Sequence, residues 1–184
     1  MEIMIIAYRN KTYIAADWDE KTGDKDAVDQ LHKWNKSEYW GLDFHDAHDL
    51  TSSRDSSKSC TIKKSLDERL DNSKHFVLIV GEHTKSLRSG KCTESCDSWS
   101  TCSSSYGYGE AKKKYSYIEF ECNGAKSRNE YDGKPRVIVL YNSKTVDKTK
   151  CLDAVKGIAL THTAMKKSDG CWDYQSVKKA FDLL

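Results

Sequence analysis

Two nearly unbroken apolar runs constrain this chain more than anything else in it: His75-Phe76-Val77-Leu78-Ile79-Val80-Gly81 and Arg136-Val137-Ile138-Val139-Leu140-Tyr141, the second introduced by the only proline, Pro135. A strand that is apolar at successive positions needs cover on both faces, which is the condition of a central strand in a parallel sheet. Stretches of helical period surround the two runs. Asp26 to Lys36 places Val28, Leu31 and Trp34 on one face. From Thr61 onward Ile62, Leu66 and Leu70 recur on one side, while Lys63, Lys64, Asp67, Glu68 and Arg69 take the other. Tyr115 to Gly124, Asp147 to Val155 and Tyr174 to Leu184 read as further helices, and Thr12–Ala16, Trp40–Phe44 and Gly157–Leu160 as weaker strands. About five strands alternating with helices predict an α/β fold, a flavodoxin-like doubly wound parallel sheet, in a single domain over 1–184. Residues 1–11 are left as an extra edge strand or a leader. Residues 83–109, rich in Ser and Cys and without period, read as an insertion.

Charge and cysteine usage remove several function classes. The formal net charge is +2 with both signs mixed along the chain, so no nucleic-acid or membrane partner is expected. Lys112, Lys113 and Lys114 form a basic stretch, which reads as a solvated helix start. The opening Met1-Glu2-Ile3-Met4-Ile5-Ile6-Ala7 is too short for a signal sequence and is acidic where a basic region should stand. A cytoplasmic location follows as the expectation, with mostly reduced thiols among the seven cysteines. No Gly-x-x-x-x-Gly-Lys-Ser/Thr loop, no Gly-x-Gly-x-x-Gly turn and no Gly-x-Ser-x-Gly elbow is present, which disfavours a kinase, a Rossmann dehydrogenase and an α/β-hydrolase.

In a doubly wound sheet the ligand crevice lies beyond the carboxyl ends of the strands. That places the candidate site after Ala16, after Phe44 and after Gly81. Asp17, Trp18 and Asp19 follow the first strand, and Asp46, His48, Asp49 and Arg54 lie after the second. The carboxylates among them are also what a phospho-receiver domain uses to hold Mg²⁺. A receiver needs an acceptor Asp at the end of the third strand, however, where this chain has Gly81-Glu82. In the insertion, Cys92, Cys96 and Cys102 with His83 nearby supply three thiolates and an imidazole, an inventory able to hold a structural zinc. Their spacing is outside the usual Cys-x2-Cys forms, so the plainer expectation is a loop that shields the pocket or mediates assembly.

The order of segments Tyr13-Ile14-Ala15-Ala16-Asp17, Phe44-His45-Asp46-Ala47-His48-Asp49, Thr61-Ile62-Lys63 through Leu70, and Val77-Leu78-Ile79-Val80-Gly81 resembles the TIR-like domain of the bacterial Thoeris antiphage system. The resemblance covers roughly residues 12 to 141 with the insertion as a gap. It implies an enzyme that cleaves NAD, releasing nicotinamide and making a cyclic ADP-ribose-type signal for a separate effector protein. NAD is then the substrate and no other cofactor is implied; assembly into a homo-oligomer or filament is the further expectation. TIR enzymes carry a catalytic glutamate on the helix after the third strand, four positions beyond an aromatic residue. Tyr115-Ser116-Tyr117-Ile118-Glu119 has that spacing, which marks Glu119 as the expected catalytic carboxylate and Tyr115 as its companion, with Glu121 a competitor on a different face. Trp18 is suited to stack on adenine or nicotinamide, and Arg54 to face a diphosphate. The plainer roles are a core position for Trp18, a cap for Asp17 and an ordinary polar loop residue for His48. The alternatives to an enzyme are a non-catalytic TIR-like assembly module and, after it, a receiver-like signalling domain.

Overall fold

The computed structural model describes residues 9–50, 59–91 and 114–184. Within them the chain runs β1 (Lys11–Ala15), α1 (Lys25–Lys36), a 3-10 turn (Ala47–Leu50), α2 (Ser59–Asp71), β2 (Ser73–Val80), a second 3-10 turn (Thr84–Ser86), α3 (Tyr117–Asp132), β3 (Arg136–Tyr141), α4 (Asp153–Lys156), β4 (His162–Ala164) and α5 (Tyr174–Phe181). The four strands lie in the order β1-β2-β3-β4 and all pair in parallel. Arg54, the cysteines Cys92, Cys96 and Cys102, most of the 83–109 insertion and residues 1–8 lie outside the described residues. Among the described residues, no helix is long and apolar enough to cross a membrane.

Alternation along the strands divides the core in two, because successive side chains of a strand point to opposite faces. Tyr13, Phe76, Leu78, Val137 and Val139 pack with Leu66 and Leu70 of α2, Ile118, Phe120 and Ala125 of α3 and Val155 of α4. Ile14, Val77, Ile79, Ile138 and Leu140 pack with Val28, Leu31 and Trp34 of α1 and Val177 and Phe181 of α5. Helices on both faces of a parallel sheet make the domain doubly wound and α/β, as the two apolar runs required.

The expected strand over Trp40–Phe44 does not form. Gly41 and Asp43 both have positive φ, 49° and 54°, which extended backbone cannot contain. The peptide groups of Phe44 are taken by a helix side chain: Asn35 Nδ2 donates to Phe44 O at 2.8 Å, and Phe44 N donates to Asn35 Oδ1 at 2.9 Å. What remains is one parallel bridge between Thr12 and Asp46, with Thr12 N donating to His45 O at 2.7 Å. This bridge flanks β1 on the side away from β2. Counting it as a strand gives the flavodoxin-like order 2-1-3-4-5, with the reversal of strand order at β1.

Three further expectations shift. The last strand is His162–Ala164 rather than Gly157–Leu160, because Ile158 N and Ala159 N still bond back to Val155 O. The helix expected from Asp147 shortens to Asp153–Lys156. Lys63, placed by its period on the solvent face, is buried, and its Nζ donates to Tyr115 O at 2.8 Å.

Candidate functional site

A cleft of about 800 Å³ opens where the strand order reverses, a size within the usual range for small-molecule and cofactor sites. One wall is the exit of β1, from Ala16 through Asp17, Trp18 and Asp19 to Thr22. This loop is wound tightly: Asp24 N donates to Asp17 O at 2.6 Å, and Asp19 Oδ1 accepts from Lys21 N, Thr22 N and Thr22 Oγ1. Those donors hold the Asp19 carboxyl below its usual range. Gly23 is required at the inner bend, since a Cβ there would sit 2.6 Å from Asp17 O. Asp17 thus serves the loop with both its carbonyl and its carboxylate, whose Oδ1 accepts from Asp19 N at 3.2 Å, while lining the cleft, and Trp18 stands at the rim, 41% exposed.

The opposite wall is built by Ile62, Leu66 and Arg69 of α2, by Leu87 and Ser89 after β2, and by Tyr117, Ile118 and Glu121 of α3. Glu121 is 6% exposed. Its Oε1 accepts a 2.7 Å hydrogen bond from the fully buried Tyr13 hydroxyl on β1. Burial pushes the Glu121 carboxyl up to about 7, against the opposing pull of the Tyr13 hydrogen bond and the Arg69 charge. A carboxyl held near neutrality in a concave, mostly apolar wall is the pattern expected of a functional acid.

Glu119, the expected catalytic carboxylate, does not reach this cleft. Ser116 caps α3, and Glu119 is the third residue of the helix. Glu119 N donates to Ser116 Oγ at 3.3 Å, and Ser116 N donates to Glu119 Oε2 at 2.7 Å, a reciprocal capping box. Lys91 Nζ lies 3.8 Å from the same carboxylate. Both Glu119 and Tyr115 line a separate depression of about 430 Å³, with Lys85, Arg88 and Lys91. The physical reason is helical pitch: two residues at about 100° each turn a side chain to nearly the opposite face. Tyr117 and Glu121 repeat the aromatic-to-glutamate spacing two positions later, and this second pair faces the cleft. The Ser116-x-x-Glu119 pattern was the signal that could have assigned Glu119 to the cap from sequence.

The third group comes from the turn after the vestigial strand. Asp46 Oδ1 accepts from His48 N at 2.8 Å and pairs with His48 Nδ1 at 2.9 Å, while its Oδ2 pairs with His32 Nε2 of α1 at 3.1 Å. Burial alone would raise the Asp46 carboxyl, but the hydrogen bonds from His32 and His48 outweigh it and hold Asp46 well below the usual carboxylate range. The His48 ring sits between two aromatic rings, 5.4 Å from Tyr13 and 5.0 Å from Trp18. His48 and Trp18 line the cleft and also a shallower depression on the α1 side, of about 810 Å³, which contains Asp46. Asp49 lies in the same 3-10 turn. Among the described residues, no cluster of three or more His, Cys, Asp or Glu side chains is arranged to hold a metal ion. His83 caps the second 3-10 turn.

Sequence reasoning missed Asp24 and Asn142. Asp24 is 4% exposed, its carboxyl is raised by burial to about 6, and Asn142 Nδ2 donates to it at 3.0 Å. Asp24 packs against Gly81 so closely that a Cβ on Gly81 would lie 2.0 Å from Asp24 Oδ1. This contact ties the first turn of α1 to the ends of β2 and β3, beside the cleft rather than in it.

Fold and cleft together define a doubly wound α/β domain with its site at the strand-order reversal, walled by an acid-bearing helix and an aromatic-rimmed loop. Residues 6–89 match the family described as Thoeris protein ThsB, TIR-like domain, just under half of the 184 residues. The matched stretch contains β1, α1, the His48 turn, α2 and β2, and stops before α3. No curated protein matches the chain.

Proposed function

We propose that the chain is a TIR-like enzyme of a Thoeris-type antiphage defence system, cleaving NAD to release nicotinamide and make a cyclic ADP-ribose-type signal. The observation that carries this reading is Glu121: a buried carboxyl raised to about 7, oriented by Tyr13, in the wall of the switch-point cleft. It is supported by the match of residues 6–89 to the ThsB TIR-like domain.

Cleavage of the nicotinamide–ribose bond expels a neutral pyridine, so no general acid is needed. The developing ribosyl cation needs negative charge close by, the part a carboxylate plays in glycoside cleavage. Glu121 takes that part. Its apolar wall of Ile62, Leu66, Leu87 and Ile118 strengthens the interaction by lowering the local dielectric. Trp18 at the rim and Tyr117 beside Glu121 offer aromatic faces to nicotinamide and adenine. Asp17 and Asp19 border the ribose position and accept hydroxyl hydrogen bonds. Arg69 supplies positive charge for the diphosphate. A separate effector protein reads the product, and a homo-oligomer or filament of this chain completes the active form.

The test is NAD loss with products resolved by mass, in phage-challenged cells and their lysates, for wild type, Glu121→Gln and Glu119→Gln. Loss of NAD with a cyclic product in wild type and Glu119→Gln, and its absence in Glu121→Gln, is the expected result. The reverse pattern returns the role to Glu119. Equal NAD in all three under a challenge that triggers defence leaves an assembly module in place of an enzyme.

A further inference from the structure

Glu121 does not account for all of the chemistry the cleft is equipped for. Capturing a ribosyl cation with a hydroxyl, whether a ribose hydroxyl of the same molecule or water, leaves a proton to be removed. The cleft lining also carries an imidazole suited to that task. His48 Nδ1 is fixed by Asp46 Oδ1 at 2.9 Å, and an ionised carboxylate only accepts, so Nδ1 carries a proton and, in the neutral imidazole, the lone pair falls on Nε2. Asp46 is itself fixed by His32 at 3.1 Å and by His48 N at 2.8 Å. The imidazole makes tilted ring contacts with both Tyr13 and Trp18. Among the described residues Nε2 has no hydrogen-bond partner, and the residue lines the cleft.

Resting on the functional reading above, we infer that His48 is the general base of the capture step and Asp46 its positioning residue. The C1′–N bond to nicotinamide breaks and its electron pair stays on the pyridine nitrogen. The hydroxyl oxygen forms the new bond to C1′ with a lone pair, its proton passes to His48 Nε2, and the imidazolium later returns that proton to solvent. Carboxylate and base both line the cleft, bridged by Tyr13, whose ring contacts His48 and whose hydroxyl bonds Glu121, and they take separate tasks, Glu121 toward the cation and His48 toward the nucleophile. The titratable and charged groups that contact His48 or share a depression with it are Asp46 and His45 beside its turn, Asp29, His32, Lys33 and Lys36 from α1, Tyr13, Asp17 and Asp19 from β1 and its exit, Arg69 from α2, and Tyr117 and Glu121 from α3.

The experiment measures nicotinamide release and products against pH, in lysates of phage-challenged cells, for wild type, His48→Gln, Asp46→Asn and Glu121→Gln, with and without azide. Both Glu121 and His48 work deprotonated, so log rate in wild type should climb toward a slope of about two on the acid side. His48→Gln should lose about 10²–10⁴-fold in turnover with KM little changed, and its acid limb should fall to a slope of about one. Azide is an anion with no proton to give up. It should restore nicotinamide release to His48→Gln as ADP-ribosyl azide and leave Glu121→Gln inactive. Asp46→Asn, which keeps the volume of the turn, should lower turnover and respond to azide in the same way. An unchanged acid limb in His48→Gln, or a loss confined to KM that azide does not relieve, overturns the assignment while leaving Glu121 and NAD cleavage standing. Absence of nicotinamide release from wild type overturns both, since His48 then has no reaction to serve.

Discussion

Glu119 and Glu121 are two residues apart on one helix, carry the same side chain and meet opposite fates. Glu119 is about a quarter exposed and spends its carboxylate on the Ser116 amide, closing the N-terminus of α3. Glu121 is buried against the sheet, takes the Tyr13 hydroxyl at 2.7 Å and is pushed up to about 7. The first stabilises the helix in the way any well-placed acid at a helix start does. The second opposes folding once ionised, because burying a charge costs free energy that a single hydroxyl and a nearby Arg69 only partly return. The proposed function draws on the destabilising carboxylate in the cleft wall, whereas the satisfied one closes a helix end.

The sharpest way to break the comparison is catalytic. Glu121→Gln should lower NAD cleavage by about 10²–10³-fold or more, whereas Glu119→Gln should stay near wild type once stability is matched; nicotinamide release at saturating NAD decides it.

Next in size is stability. The folded-state carboxyl of Glu121 sits near 7 against an ordinary value of 4.5, so the native protein binds more protons than the unfolded chain between those values. Stability therefore falls as pH rises through that window, and the cost is complete above it, at ~3 kcal/mol. Glu121→Gln should accordingly stabilise the protein by up to ~3 kcal/mol near pH 8 and by almost nothing near pH 4. Urea unfolding at the two pH values measures this, and an equal gain at both would remove the linkage.

Tyr13→Phe sharpens the same point. It leaves the buried carboxylate without its hydroxyl donor, at a cost of about 1–3 kcal/mol to the ionised form. The acid limb of the pH–rate profile should move to higher pH, and a limb that stays in place would mean that Tyr13 does not tune Glu121.

Smallest is the cap. Ser116→Ala should cost ~1 kcal/mol in thermal or urea unfolding and leave the pH profile of NAD cleavage where it was. A shifted profile would mean that the cap reaches the cleft.

How far these assignments were legible before folding depends on the kind of interaction. Helices α1, α2 and α5 announce themselves by period and the strands β2 and β3 by their nearly unbroken apolar runs, because apolar burial dominates their energetics. The second strand was misread because Trp40 to Phe44 is apolar enough to be one, yet Gly41 and Asp43 take positive φ and Asn35 claims the peptide groups of Phe44. Of the expected site residues, Asp17, Trp18, Asp19 and His48 do line the cleft, since strand-end position follows from topology. Tyr115 and Glu119 do not, since the spacing of an aromatic and an acid occurs twice on α3 and only the position of the Ser116 cap separates the two registers.

Local sequence by itself pointed to a parallel sheet covered on both faces, because two nearly unbroken apolar runs rich in Val and Ile, set among helical stretches, suit central strands. It also pointed to a crevice beyond Ala16 and Phe44, because strand ends are where a doubly wound sheet leaves its crevice. Only the tertiary structure decided which carboxylate faces that crevice, that Tyr13 from β1 orients it, and that Asp46 is shared between His32 and His48. These are contacts between side chains far apart in the chain. Their energies depend on burial and on hydrogen-bond partners that no local pattern encodes.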